Sequence, residues 1–138
     1  MPTVKLITAM GAVRDLVGEP QPAAGYYGPT KGIHTIVIRT LNFRGRVQIE
    51  ASLASQPTDA DWFTIQLEGR PYLEFPMARY RRTTEPGWWG DSVTIGYTFS
   101  VNANWLRAVV TRDYLLPPNA TEQMIQYYGQ IDNIMVKY

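Results

Sequence analysis

The residue types that most often carry catalysis are sparse in this 138-residue chain: one histidine, His34, no cysteine, and 12 Asp and Glu against 13 Lys and Arg. A Ser-His-Asp arrangement would have to be built around His34, and no G-x-S-x-G turn accompanies it. At the start of an alternating segment, His34 reads as a partly exposed strand residue. Zero cysteine removes thiolate metal sites, disulfides and cysteine nucleophiles together. Glu50, Glu68 and Glu74 could in principle pair for glycosidic hydrolysis, but Glu50 and Glu68 fall on the polar side of alternating strands, where solvated carboxylates are expected anyway. Asp59 and Asp61 have the alternate spacing of a calcium loop but lack its glycine and distal glutamate, so a turn or helix cap is the reading taken. No catalytic residue, metal ligand or cofactor is expected.

Two other clusters have the chemistry of contact. Arg79-Tyr80-Arg81-Arg82, with Arg70 nearby, mixes guanidinium groups with a ring, a pattern able to meet phosphates or stacked bases. A formal net charge of +1 supplies no long-range field for nucleic acid, so none is expected as a partner, and the cluster reads as a solvated loop or a salt-bridged subunit contact. Trp88 and Trp89 lie in Glu85-Pro86-Gly87-Trp88-Trp89-Gly90 between strand signals, where large rings are rarely needed for a core. Rings on such a loop serve as subunit anchors, pack beneath the loop, or form a platform for sugars. Tyr26 and Tyr27 sit in a second Pro- and Gly-rich stretch, residues 18–32, expected to be an irregular loop or arm.

The elements that must position these residues are strands. In Arg46-Val47-Gln48-Ile49-Glu50-Ala51-Ser52-Leu53 apolar and polar residues alternate, giving one buried and one wet face. Residues 92–101 repeat the pattern, and Phe63, Ile65 and Leu67 give a shorter version after Trp62. Further β-rich runs cover 32–41, 105–112 and 131–138. Asn42-Phe43-Arg44-Gly45 and Asn102-Ala103-Asn104 carry turn residues, so the strands they join read as two hairpins. Only 121–128 is helical in character, one or two turns ended by Gly129. Strands spaced without intervening helices predict an all-β fold: a single antiparallel, jelly-roll-like β-sandwich of about seven or eight strands, with an irregular N-terminal arm and one short helix. The expected division is 1–31, a strand plus the Pro/Gly-rich arm, and 32–138, the sandwich.

Composition points the same way. Charged residues make up 18% of the chain, below the roughly 25% of ordinary soluble domains, whereas four Trp, nine Tyr and four Phe make aromatics 12%. Such a surface is suited to burial against other subunits, where aromatics are enriched and Lys and Glu depleted. No apolar window approaches the roughly 18 residues needed to cross a bilayer, and no export signal is visible, so no membrane partner is expected and Asn119-Ala120-Thr121 is given no role as a glycosylation acceptor.

The run Phe43-Arg44-Gly45-Arg46-Val47-Gln48-Ile49-Glu50-Ala51-Ser52-Leu53, followed by Asp61-Trp62-Phe63 and closed by Gly129-Gln130-Ile131-Asp132-Asn133-Ile134, resembles small β-sandwich structural proteins of tailed bacteriophages, cyanophages among them, over about residues 32–138. More distantly, Val47, Ile49, Ser52 and Trp62 resemble the V-x-I-x-x-S strand and following tryptophan of the galactose-binding-like jelly roll. Neither resemblance carries over an active site. The first implies a noncatalytic virion component, assembled in the host cytoplasm, that decorates a capsid or joins neck, tail, baseplate or fibre. Its partners would be other virion proteins and copies of itself, with residues 1–31 as an inter-subunit arm and Tyr26, Tyr27, Arg79, Tyr80, Arg81, Arg82, Trp88 and Trp89 as contact candidates. The alternative is a carbohydrate-binding module that recognises a host-surface glycan through the same rings.

Overall fold

The computed structural model describes residues 3–11, 13–77 and 90–138. Ten strands run in the order β1 (Thr3–Ile7), β2 (Asp15–Val17), β3 (Gln21–Pro22), β4 (Ile33–Leu41), β5 (Gly45–Ser52), β6 (Trp62–Ile65), β7 (Leu73–Phe75), β8 (Thr94–Ser100), β9 (Trp105–Thr111) and β10 (Gln130–Lys137), with one short helix, α1 (Glu122–Gln126). They form two antiparallel sheets. One has the order β1-β10-β4-β8; the other has β2-β9-β5-β6, with β3 also on β9 and β7 also on β5. The strands outnumber the seven or eight expected because β2 with β3, and β6 with β7, each occupy one sheet edge in two short pieces.

With each such pair taken as one interrupted strand, the first strand pairs with the last, the second with the last but one, the third with the sixth and the fourth with the fifth. That is the jelly-roll order. The core forms where the two apolar faces meet. Ile36 and Ile38 of β4, Val47, Ile49 and Ala51 of β5, and Leu106, Ala108 and Val110 of β9 are all completely buried. Bulges adjust the alternation where the sequence breaks it. Between Ile131 and Asn133 the β10 register shifts, so that both Ile131 and Ile134 face inward.

Neither expected hairpin forms. Strands β4 and β5 lie in different sheets, as do β8 and β9, so residues 42–44 and 101–104 carry the chain across the sandwich. The turn chemistry is real, but the turn residues bond elsewhere. Phe43 is buried between the sheets with its ring 5.5 Å from Phe75, and its backbone exchanges hydrogen bonds with Asp91 at 2.9 and 3.1 Å. Asn42 has φ +51° and Gly45 φ +146°, and a Cβ at Gly45 would press on the Phe43 ring and on Arg112. At the second crossing, Ala103 is buried and Asn104 N–H donates to Ser52 at the end of β5.

Residues 3–11 and 13–31 are woven into the same sandwich. β1 pairs with β10 in one sheet, while β2 and β3 pair with β9 in the other. Within 18–32, Gly18 N–H donates to Ala108, Ala23 N–H to Asn104 and Gly25 N–H to Ala103, and Ala23 and Ala24 are buried. The stretch expected to be an irregular loop or arm lies along its own sheet. Pro22 is tolerated because β3 is an edge strand.

Helix α1 is shorter than its 121–128 expectation, with the Thr121 hydroxyl accepting Met124 N–H at its start. Gly129 follows with φ +70°, packed so that a Cβ would run into the Asn42 carbonyl. Beside it, fully buried Arg112 donates from Nε to Val13 at 2.7 Å, from Nη1 to Gly129 at 2.6 Å and from Nη2 to Gly11 at 3.0 Å, tying the loop before β2 to the loop before β10. Burial lowers its pKa to about 10, against the opposing charge of Asp15.

Candidate functional site

The outer face of the second sheet carries a group of aromatic and charged side chains. Trp105 of β9 and Trp62 of β6 both stand opposite Ser52 of β5, so the three form one row across the sheet. Ser52 is completely buried. In the next row Arg107, Glu50 and Thr64 align, with Arg107 Nε 2.7 Å from Glu50 Oε1 and its guanidinium 4.3 Å from the centre of the Trp62 ring. Gln48 Nε2 donates to Thr64 Oγ1 at 2.7 Å.

Tyr26 and Tyr27 extend this face at one end. A 3-10 turn, Ala24–Tyr27, presents both rings, 53% and 63% exposed. Tyr26 meets Trp105 edge-on at 5.2 Å and Tyr27 at 5.1 Å, while Tyr27 lies 6.1 Å from Tyr138. Trp105 is fixed by an Nε1–H bond to Ser55 O at 3.2 Å. The turn is fixed from below: Tyr138 Oη donates to Pro22 O, and His34 Nε2 accepts Ala24 N–H. Burial raises the Tyr138 phenol, and hydrogen bonding with Tyr27 raises it further.

At the opposite end of the face, the Arg46 guanidinium lies 4.5 Å from the Tyr72 ring and 4.3 Å from the Tyr114 ring, with Nε 3.2 Å from Glu74. Tyr114 Oη donates to Glu74 Oε1, and its phenol is pushed up to about 12, first by burial and then by the Glu74 charge. Glu68 and Glu74 share the wall of a pocket of about 520 Å³ with Arg70 and Tyr72. Glu50 lies elsewhere, bound to Arg107. Asp61 accepts Thr58 N–H at 2.6 Å and Thr58 Oγ1–H at 2.9 Å, bonds that hold its carboxyl below the ordinary range and make it a turn cap. Among the described residues no group of three His, Asp or Glu could hold a metal ion.

His34 differs from its expected partial exposure: it is completely buried, stacked on Phe99 at 5.3 Å, with Nδ1 donating to Gly32 O at 2.7 Å. The signal was present, since His34 shares the even parity of Ile36 and Ile38. Of the contact candidates, Tyr26 and Tyr27 come together, whereas Arg79, Tyr80, Arg81, Arg82, Trp88 and Trp89 lie outside the described residues. Trp62, Trp105 and Arg107 were missed as a surface group. Trp105 and Arg107 have the odd parity opposite to inward Leu106, Ala108 and Val110, but adjacency across three strands required the register. Compared with protein families, curated proteins and solved structures, the chain matches none.

Proposed function

We propose that this chain is a noncatalytic virion structural protein of a tailed phage, acting by docking on neighbouring virion proteins and on copies of itself. The observation that carries the reading is the cluster of the exposed Tyr26 and Tyr27 rings on the half-buried Trp105, held in place by bonds from beneath. Anchors of this kind lose little side-chain entropy on binding, and Tyr and Trp dominate interface energetics. The low charge and the phage-like strand pattern support the same reading.

A second reading, a module for a host-surface glycan, is favoured by Trp62 and Trp105 on one face of the sheet beside Glu50, Gln48 and Thr64. Rings offer a sugar its apolar face, and such polar neighbours offer bonds to hydroxyls.

Light scattering after size-exclusion chromatography separates the two. Assembly predicts a mass above 15.7 kDa that falls in Tyr26→Ala/Tyr27→Ala while far-UV circular dichroism stays unchanged. A constant 15.7 kDa, with tryptophan fluorescence quenched on glycan titration, would replace the first reading by the second.

A further inference from the structure

The sheet edges are protected unequally. β1 carries Lys5 and a break in register before Ile7. β2 and β3 are three and two residues long and include Pro22; β6 and β7 are four and three residues long, with Pro76 directly after. Charges, prolines, bulges and short lengths are the usual means of keeping edges from pairing with other chains. β8 has none of them. Its seven residues, Thr-Ile-Gly-Tyr-Thr-Phe-Ser, contain no charge and no proline, and its register with β4 is unbroken from Ile33 opposite Ser100 to Arg39 opposite Thr94. Among the described residues, no strand pairs with its other side.

The direction of its backbone groups follows from the bonds at its two ends. Thr40 N–H donates to Val93 O, and Val101 N–H donates to Gly32 O. Antiparallel pairs alternate, so residues 95, 97 and 99 also turn their backbone groups toward β4. Thr94, Gly96, Thr98 and Ser100 turn theirs away, toward the open edge. All four are exposed.

We infer that β8 is a self-pairing edge, at which a second copy of this chain adds its own β8 antiparallel and joins two four-stranded sheets into one; this deepens the assembly reading above and rests on it. With the two-fold axis at Tyr97, Thr94 faces Ser100 of the second copy, Ile95 faces Phe99, and Gly96 faces Thr98. The outward-turned residues then meet only one another, so each free N–H finds a carbonyl. A two-fold axis brings every charge near it close to its own copy, and the uncharged edge avoids that repulsion. Gly96 leaves space beside Thr98 on the outer face, and Ile95 opposite Phe99 extends the apolar inner face.

The chain has no cysteine, which makes cross-linking specific. In Gly96→Cys/Thr98→Cys, each new thiol faces its counterpart across a hydrogen-bonded pair with Cα atoms about 5.5 Å apart, within the roughly 4.4–6.8 Å that a disulfide spans. Mild oxidation should give a covalent dimer on a non-reducing gel, whereas Thr98→Cys alone, which has no facing thiol, should give none. Thr94→Lys/Thr98→Lys should lower the mass of the wild-type oligomer while leaving its β-sheet spectrum intact. An oligomer that neither cross-links nor responds to the lysines would overturn the β8 pairing and leave assembly through Tyr26 and Tyr27 standing. A wild-type chain of 15.7 kDa up to millimolar concentration would overturn both.

Discussion

His34 Nε2 accepts the backbone N–H of Ala24 at 3.2 Å, joining the first long strand of the sandwich to the turn that displays Tyr26 and Tyr27. Because Nδ1 donates to Gly32 O, the ring is the neutral tautomer with its proton on Nδ1. A proton on Nε2 would point at the Ala24 N–H.

This contact makes stability depend on pH. Burial holds the His34 pKa below its ordinary 6.5, opposed in part by the Gly32 bond. Below pH 6.5 the unfolded chain therefore binds a proton that the folded chain refuses. The contribution is complete above that value and is lost as pH falls toward the lower folded-state pKa. Melting temperature should decline on acidification below pH 6.5, and that slope should vanish in His34→Gln. Equal slopes in both proteins would assign it to other groups.

Arg112 is the buried tie between the carbonyls of Gly11 and Val13 and that of Gly129. Arg112→Met keeps much of the apolar stem but removes the guanidinium donor from the carbonyls of Gly11, Val13 and Gly129, of which Gly11 keeps only its bond from Val13 N–H, and should cost about 3 kcal/mol or more. Arg112→Lys should recover little, since one ammonium cannot reach three separated acceptors. Urea midpoints of both variants check this.

Phe43 fills the crossing between β4 and β5, beside Phe75 and beneath Arg112. Truncating it to Ala should cost about 3–5 kcal/mol. If residues 42–45 formed an exposed hairpin turn instead, the same change would cost only a few tenths.

Arg107 and Glu50 form an ion pair with only 16% and 17% of their side chains exposed. A double-mutant cycle with Arg107→Met and Glu50→Gln should give a coupling near 1 kcal/mol, at the upper end for surface pairs because solvent screens it poorly. Trp62→Leu should reduce that coupling by removing the ring on which Arg107 rests.

Tyr26 and Tyr27 stand on the surface, so replacing both with Ala should leave the melting temperature within a few degrees of wild type. Loss of oligomer mass without loss of stability is the outcome expected of an interface anchor. A large drop in stability would reassign the pair to packing against Trp105 and Tyr138.

What the amino-acid sequence determined by itself was local and periodic. Alternation along residues 46–51, 94–100 and 105–112 fixed which side chains face inward, because successive residues of a strand point to opposite faces whatever the partner strand is; it failed at the end of β5, where Ser52 is buried and Leu53 is exposed. Gly129 marked the end of a short helix, because readiness to adopt positive φ is a property of the single residue. What tertiary structure decided was partnership. Asn42-Phe43-Arg44-Gly45 has the composition of a hairpin turn, yet burying Phe43 between the sheets and pairing it with Asp91 sends the chain across the core instead. Residues 18–32 look irregular, yet Ala23 and Ala24 seat them on the sandwich through Ala103, Asn104 and His34. Trp62, Ser52 and Trp105 became one row only when β5 took β6 on one side and β9 on the other. Those choices depend on contacts between residues far apart in the chain, whose free energies are set by how the whole core closes rather than by any local pattern.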